Sequence, residues 1–253
     1  MSKPNFQPLT FSGIIDTSFR MFSQDFKTLI PLSILFNLPA LGLQLTGQFV
    51  DEQTNPGITI GVALLGIILS IICSGLLTGS VIHVVSARYL GEKLSFSEAI
   101  ARSTPILGKV ISTSILVGLW IFLGILCLII PGVIWMFTLA LALPAVVLEG
   151  KSSTEALQRS KELVKHNQSK VVGTVIGVSL LLFLLGAVFG IFLHLGLAAA
   201  SLAADGPVAL VGEQLLGFAL GPLYSIALVV LYYDLRIRYE GFDLELLSKE
   251  IGA

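Results

Sequence analysis

The sequence predicts an all-α integral membrane protein with six transmembrane helices, built as three elbow-helix-plus-hairpin repeats. Three observations carry this. The chain has 253 residues, 55% hydrophobic and 12% charged, with mean hydropathy +0.92, whereas soluble domains carry roughly 25% charge. A soluble core of this size would need a charged coat that the composition cannot supply. Six apolar segments follow, at 27–48, 57–88, 106–130, 133–149, 170–203 and 207–236, against the roughly 20 residues a spanning helix needs. Finally, one polar phrase is written repeatedly: SFSEAIARS at 95–103, SSTEALQRS at 152–160 and, more faintly, TFSGIIDTS at 10–18.

In chain order, Phe11, Ile14, Ile15, Phe19, Phe22 and Phe26 recur at helical spacing and predict a first amphipathic helix. It leads through Lys27 into the first span. Gly91 ends the second span, and Ser95 with Glu98 then forms an S-x-x-E capping box that opens a second short helix. The third and fourth spans meet at IIPGVIW, where Pro131 can start a helix without losing a hydrogen bond. The fourth is short and carries Pro144, so a re-entrant segment stands as its alternative. Gly150, then the box of Ser152 and Glu155, repeats the pattern. In that third short helix Ala156, Leu157, Leu163 and Val164 share an apolar face, with Arg159, Lys161 and Lys165 able to reach headgroups. These helices are expected to lie in the membrane interface. GFDLELLSKE at 241–250 reads as the start of a fourth with no hairpin after it. The units are 9–90, 94–150 and 151–240, within one polytopic domain.

Charge sets the orientation. All 15 Lys and Arg fall on one side of this arrangement, while the opposite loops hold Asp51, Glu52, Asp205 and Glu213. Under the positive-inside rule both termini and both long polar connections are cytoplasmic. The N-terminal MSKPNFQPLTFSG lacks an apolar signal region, so no cleavable leader is expected. Net charge −1 excludes a strongly basic nucleic-acid binder. Cys73 and Cys127 sit in apolar runs without metal-site spacing and read as small hydrophobes.

No P-loop, GxGxxG, HExxH or GxSxG pattern is present, and no paired intramembrane carboxylates. No catalytic, cofactor or metal residue is therefore assigned. The polar groups within the spans are Asn37, Gln44, His83 and His194. Each histidine reads either as neutral and hydrogen-bonded between helices or as a proton relay. Asp234 reads as a boundary ion pair with Arg236, Arg238 or other cations. Trp120 and Trp135 are expected to anchor the outer face. Lys27, Lys109 and Lys170, each at an elbow-to-span junction, together with Arg102 and Arg159, are the candidate lipid-headgroup contacts. GxxxG pairs at Gly75/Gly79, Gly173/Gly177, Gly186/Gly190 and Gly217/Gly221 permit close helix packing within the chain or in a homodimer.

The stretch IIPGVIWMFTLALALPAVVLEGKSSTEALQRSKELVKHN, with the closing LYYDLRIRYEGFDLELL, resembles a large group of prokaryotic integral membrane proteins. It includes the YciC-like proteins and the membrane domain found beside some glycerophosphoryl diester phosphodiesterases. The resemblance implies a prokaryotic inner-membrane setting and carries no activity, since the phosphodiesterase catalytic domain is missing. The expected role is a non-catalytic module engaging membrane lipids, anionic ones in particular, or a membrane-protein partner through its cytoplasmic helices. A transporter or channel for a small solute or lipid is the alternative, and an intramembrane enzyme a third reading.

Overall fold

A computed structural model describes residues 9–49, 56–203 and 206–241. Its regular structure is helical, and six stretches are long and apolar enough to cross a membrane. The expected fourth elbow at 241–250, apart from Gly241, and Asp51, Glu52 and Asp205 lie outside the described residues.

Helix α1 runs Phe11–Phe49 but is two helices joined at Asp25, whose backbone leaves helical geometry (φ −109°, ψ 15°). The short arm before Asp25 is the first expected elbow. Next come α2 (Pro56–Tyr89), α3 (Phe96–Ser103), a single 3₁₀ turn at Thr104–Ile106, and α4 (Leu107–Cys127). The α3 box forms as expected: Ser95 N–H donates to Glu98 Oε2 at 2.8 Å and Glu98 N–H donates back to Ser95 Oγ at 3.4 Å.

The turn after α4 differs in position from the expected Pro131-Gly132. One extended residue, Leu128, makes it, and α5 (Ile129–Thr138) carries Pro131 in its first turn. Gly132 instead faces Gly124 across the hairpin, where an added Cβ at Gly124 would lie 2.7 Å from Gly132 Cα and 2.6 Å from Trp135. The fourth span is also broken: α5 stops at Thr138 and α6 (Ala142–Glu149) restarts after three residues. Pro144 falls in the first turn of the restarted helix, where its missing N–H is not needed. The backbone groups opened by the break are closed by Ser160, which donates to Thr138 O at 2.7 Å and accepts from Leu141 N–H at 3.1 Å.

The remaining helices are α7 (Ser153–Lys165), α8 (Gln168–Ala199) and α9 (Pro207–Glu240). Ser152 donates its N–H (2.9 Å) and hydroxyl (2.7 Å) to Glu155 at the start of α7. Left-handed glycines stop α2, α6 and α9: Gly91 (φ 87°), Gly150 (φ 67°) and Gly241 (φ 61°). Only glycine takes that conformation without a steric cost.

The core gathers at the end where α2, α6 and α9 finish, called the basic end below. α9 is enclosed there, with every residue from Ile226 to Leu235 buried, against α1, α2 and α6. The polar phrases supply part of this packing. Their fifth residues, Ile14, Ala99 and Ala156, are each fully buried, and their last, Ser18, Ser103 and Ser160, nearly so. Positions i and i+4 share one helix face, so each phrase turns the same face inward. The expected apolar set of α7 (Ala156, Leu157, Leu163, Val164) is buried in the bundle. In the first arm Ile14 faces in while Phe11 and Phe19 stay exposed, as does Phe26 just past the kink.

Away from this core the helices present bare apolar surface, including Leu65, Phe183 and Ile129. In water such continuous exposure would drive association; in a bilayer these side chains face acyl chains of the same polarity.

Candidate functional site

Three ionic joints hold the basic end together. At the first, the Asp234 carboxylate is completely buried. It accepts the Leu9 N–H at 2.6 Å and Arg238 Nε at 3.0 Å, and pairs with Lys170 Nζ. Lys170 also donates to the Leu9 carbonyl at 2.6 Å, as does Arg238 at 2.8 Å. Leu9, two positions ahead of α1, is thus tied to the first turn of α8 and the last turns of α9. The ion pair expected at Asp234 is present with Arg238, but Lys170 replaces Arg236 as its other cation. A bare carboxylate here would be costly, so three donors on one buried anion are the physical condition for its presence.

At the second joint Arg88, in the last turn of α2, grips Asp25 with two parallel bonds, Nε to Oδ2 at 2.6 Å and Nη2 to Oδ1. The planar guanidinium fork suits a carboxylate bidentately, and it clamps the α1 kink. The third joint centres on Glu149, the last residue of α6. Arg159 Nε lies 2.9 Å from Glu149, and Arg159 Nη1 2.5 Å from Glu240. Arg236 Nε reaches Glu240 at 3.0 Å, Lys151 approaches Glu149 at 3.4 Å, and the Tyr232 hydroxyl donates to Glu149. The Glu240 carboxylate, with Glu149, holds the Arg159 guanidinium above its ordinary pKa. Tyr89 stacks on Tyr233 at 4.6 Å, and Ser86 shares a 2.7 Å hydrogen bond with the Tyr233 hydroxyl.

The five candidate headgroup contacts separate in this geometry. Lys170 and Arg159 spend their charge on carboxylates. Lys109 is exposed and donates to the Gly150 carbonyl at 2.8 Å. Lys27 and Arg102 are exposed, with no carboxylate at ion-pair distance among the described residues. The three lysines therefore differ in their partners. Trp120 and Trp135, expected as outer anchors, meet edge to face at 5.2 Å, and Lys161 of α7 sits 5.9 Å above Trp120. The pair thus lies beside a basic helix.

His83 Nε2 is buried without a hydrogen-bond partner. His194 lies near the opposite end, its Nδ1 2.8 Å from Gly190 O and its Nε2 3.7 Å from Glu213. His83, His194 and Asp234 are not brought together. Cys73 and Cys127 are both free thiols.

Sequence reading missed Asp25, Arg88 and Glu149. Glu149 had a visible signal, since an acid closing an apolar run needs a cation nearby. Asp25 and Arg88 lie 63 positions apart, and only the return of α2 alongside α1 brings them together.

No solved structure matches the chain. Residues 104–237, just over half its length, match a family described as the membrane domain of glycerophosphoryl diester phosphodiesterase. That match agrees with the resemblance carried by the proline-glycine hairpin, the α7 phrase and the closing tyrosines. It covers α4 to α8 and most of α9, with Lys170 and Asp234 of the first joint and Glu149 and Arg159 of the third, but not Leu9, Arg238 or Glu240. The chain is a polytopic membrane protein that belongs to the family of the glycerophosphoryl diester phosphodiesterase membrane domain.

Proposed function

We propose that this protein is a non-catalytic inner-membrane module whose basic end faces the cytoplasm and engages anionic lipid headgroups. The supporting observation is the distribution of charge at that end. Asp25, Asp234, Glu149 and Glu240 are each neutralised by cations of the chain itself. Lys27, Arg102 and Lys109 stay exposed around them. A lysine stem can lie along an apolar helix while its ammonium reaches the phosphate layer, and each such cation adds about 1 kcal/mol of attraction to an anionic leaflet. The carboxylates, saturated with donors, are poor candidates for general bases. The same reading takes the chain as three copies of one unit (9–90, 94–150 and 151–240). Matching buried positions in the three phrases and the three left-handed glycines support it.

Native mass spectrometry from vesicles of mixed zwitterionic and anionic lipid tests the lipid reading. Wild type is expected to retain anionic lipid preferentially. Lys27→Gln, Arg102→Gln and Lys109→Gln together, or raised salt, should weaken that preference. Equal retention of both lipid classes by wild type would reject it.

A further inference from the structure

The four GxxxG pairs divide by what surrounds them. A Cβ added at Gly75 would come within 2.9 Å of Leu107, one at Gly79 within 3.1 Å of Ser103, and one at Gly177 within 2.3 Å of the Phe11 ring. Those glycines are needed for packing inside the chain. At Gly186, Gly190, Gly217 and Gly221 an added Cβ would meet nothing within 4 Å. Glycine weakens a helix relative to alanine, and here no contact within the chain compensates. The same four line a cavity of about 420 Å³ between α8 and α9, walled mainly by apolar side chains.

The cavity has an orientation. Glu213 stands at one end, toward the start of α9, and Tyr224 at the other, toward the core. The eleven helical steps from Glu213 to Tyr224 rise about 16 Å at 1.5 Å per residue, close to half of a hydrocarbon layer about 30 Å thick. That is the reach of one acyl chain within one leaflet. The Tyr224 hydroxyl makes no hydrogen bond among the described residues. Glu213 is exposed, with the partly exposed His194 3.7 Å away. An exposed carboxylate at this mouth repels an anionic headgroup and suits one that carries an amine.

We propose that this groove binds one acyl chain of a phospholipid from the leaflet opposite the basic end, and that Glu213 receives its headgroup amine. The glycines leave room for the chain to lie between α8 and α9, and the carboxylate selects an amine-bearing head over an anionic one. This site is separate from Lys27, Arg102 and Lys109 and does not depend on the role given to them.

The test uses the full chain in vesicles of equal phosphatidylethanolamine and phosphatidylglycerol, released into native mass spectrometry under stepwise activation. Beside the anionic lipid retained at the basic end, wild type is expected to hold one phosphatidylethanolamine, which the variant with Lys27, Arg102 and Lys109 changed to Gln also keeps. Gly186→Leu with Gly217→Leu fills the groove and should release most of it, with helical content and melting temperature unchanged. Glu213→Gln should keep a lipid but lower the amine preference about threefold, as expected for a partly exposed charge contact. Equal retention by wild type and the filled variant would overturn the proposal. So would a filled variant that loses a dimer while its lipid stays, because the groove would then be an interface between copies. Should the double leucine variant not fold, Glu213→Gln decides alone, and an unchanged headgroup preference refutes the site.

Discussion

Replacing Asp234 by Asn keeps the shape of the side chain and an acceptor for the Leu9 N–H, but removes the charge. Lys170 is then left facing Arg238 and the Leu9 carbonyl, with its side chain 15% exposed and no anion at this joint. Breaking a buried pair by removing one partner costs about 3–5 kcal/mol. Because Lys170 keeps some solvent contact, the lower figure of about 3 kcal/mol applies. For a chain of this size that is a fall of about 6–12 °C in melting temperature, measured in one fixed lipid composition. The loss should be local first, because the same joint holds Leu9 to α8 and α9. Hydrogen exchange should therefore accelerate at residues 9–24 before it does in α9. Asp234→Asn combined with Lys170→Met removes both charges and should recover part of the loss, a coupling of at least about 1 kcal/mol. If Asp234→Asn stayed within about 0.5 kcal/mol of wild type and Leu9 exchange did not change, the joint would not hold the N-terminal arm.

Reporter fusions near residues 93 and 165 should be active on the cytoplasmic side and fusions near 53 and 206 on the other; periplasmic labelling at 165 would contradict the orientation. Gly124→Ala should open the α4–α5 hairpin and cost about 1–3 kcal/mol, since its new methyl meets Gly132 backbone and the Trp135 ring. Gly173→Ala, with nothing within 4 Å, should be neutral or slightly stabilising in the same melting assay. Ser152→Ala should cost about 0.5–2 kcal/mol, read as faster amide exchange in the first turn of α7. Hydrogen bonds from Ser152 hold the Glu155 pKa below its ordinary value. The stability they give is therefore present above the ordinary carboxylate pKa and lost as pH falls through the lowered one. Protection of the amides in that turn, taken relative to the intrinsic exchange rate at each pH, should fall on acidification in wild type and change less in Ser152→Ala.

The spans were legible because a bilayer imposes a length that composition alone can meet, and the capping boxes because S-x-x-E closes within one turn. Both are local rules. The break at Leu139–Leu141 is hidden in a continuous apolar run, and Pro144 is an ambiguous marker: Pro31 and Pro39 lie within the helix that follows the Asp25 kink, and Pro222 within α9. What separates Pro144 from them is Ser160, which supplies the donor and acceptor the broken backbone needs from 19 residues away. The ionic joints were less legible still. Charge counting placed Lys170, Arg159 and Arg88 at one end, but which of them meets an acid depends on helix neighbours that no local pattern records. The phrases by themselves predict faces for the interface, whereas their fifth and ninth positions face the bundle.

The second short helix and the third each begin within a few residues of a left-handed glycine, at the same end of the bundle where the preceding helix stops. A hairpin that leaves and returns at one end is a closed loop in topological terms. Duplicating or deleting it changes the number of crossings by two, so every later segment keeps its side. A duplication that captured a single crossing would instead invert everything after it and carry the basic residues of α7 and α9 to the wrong surface. Length variation built on this unit is thereby restricted to whole pairs, and the boundary that makes such steps safe is the glycine turn rather than the span.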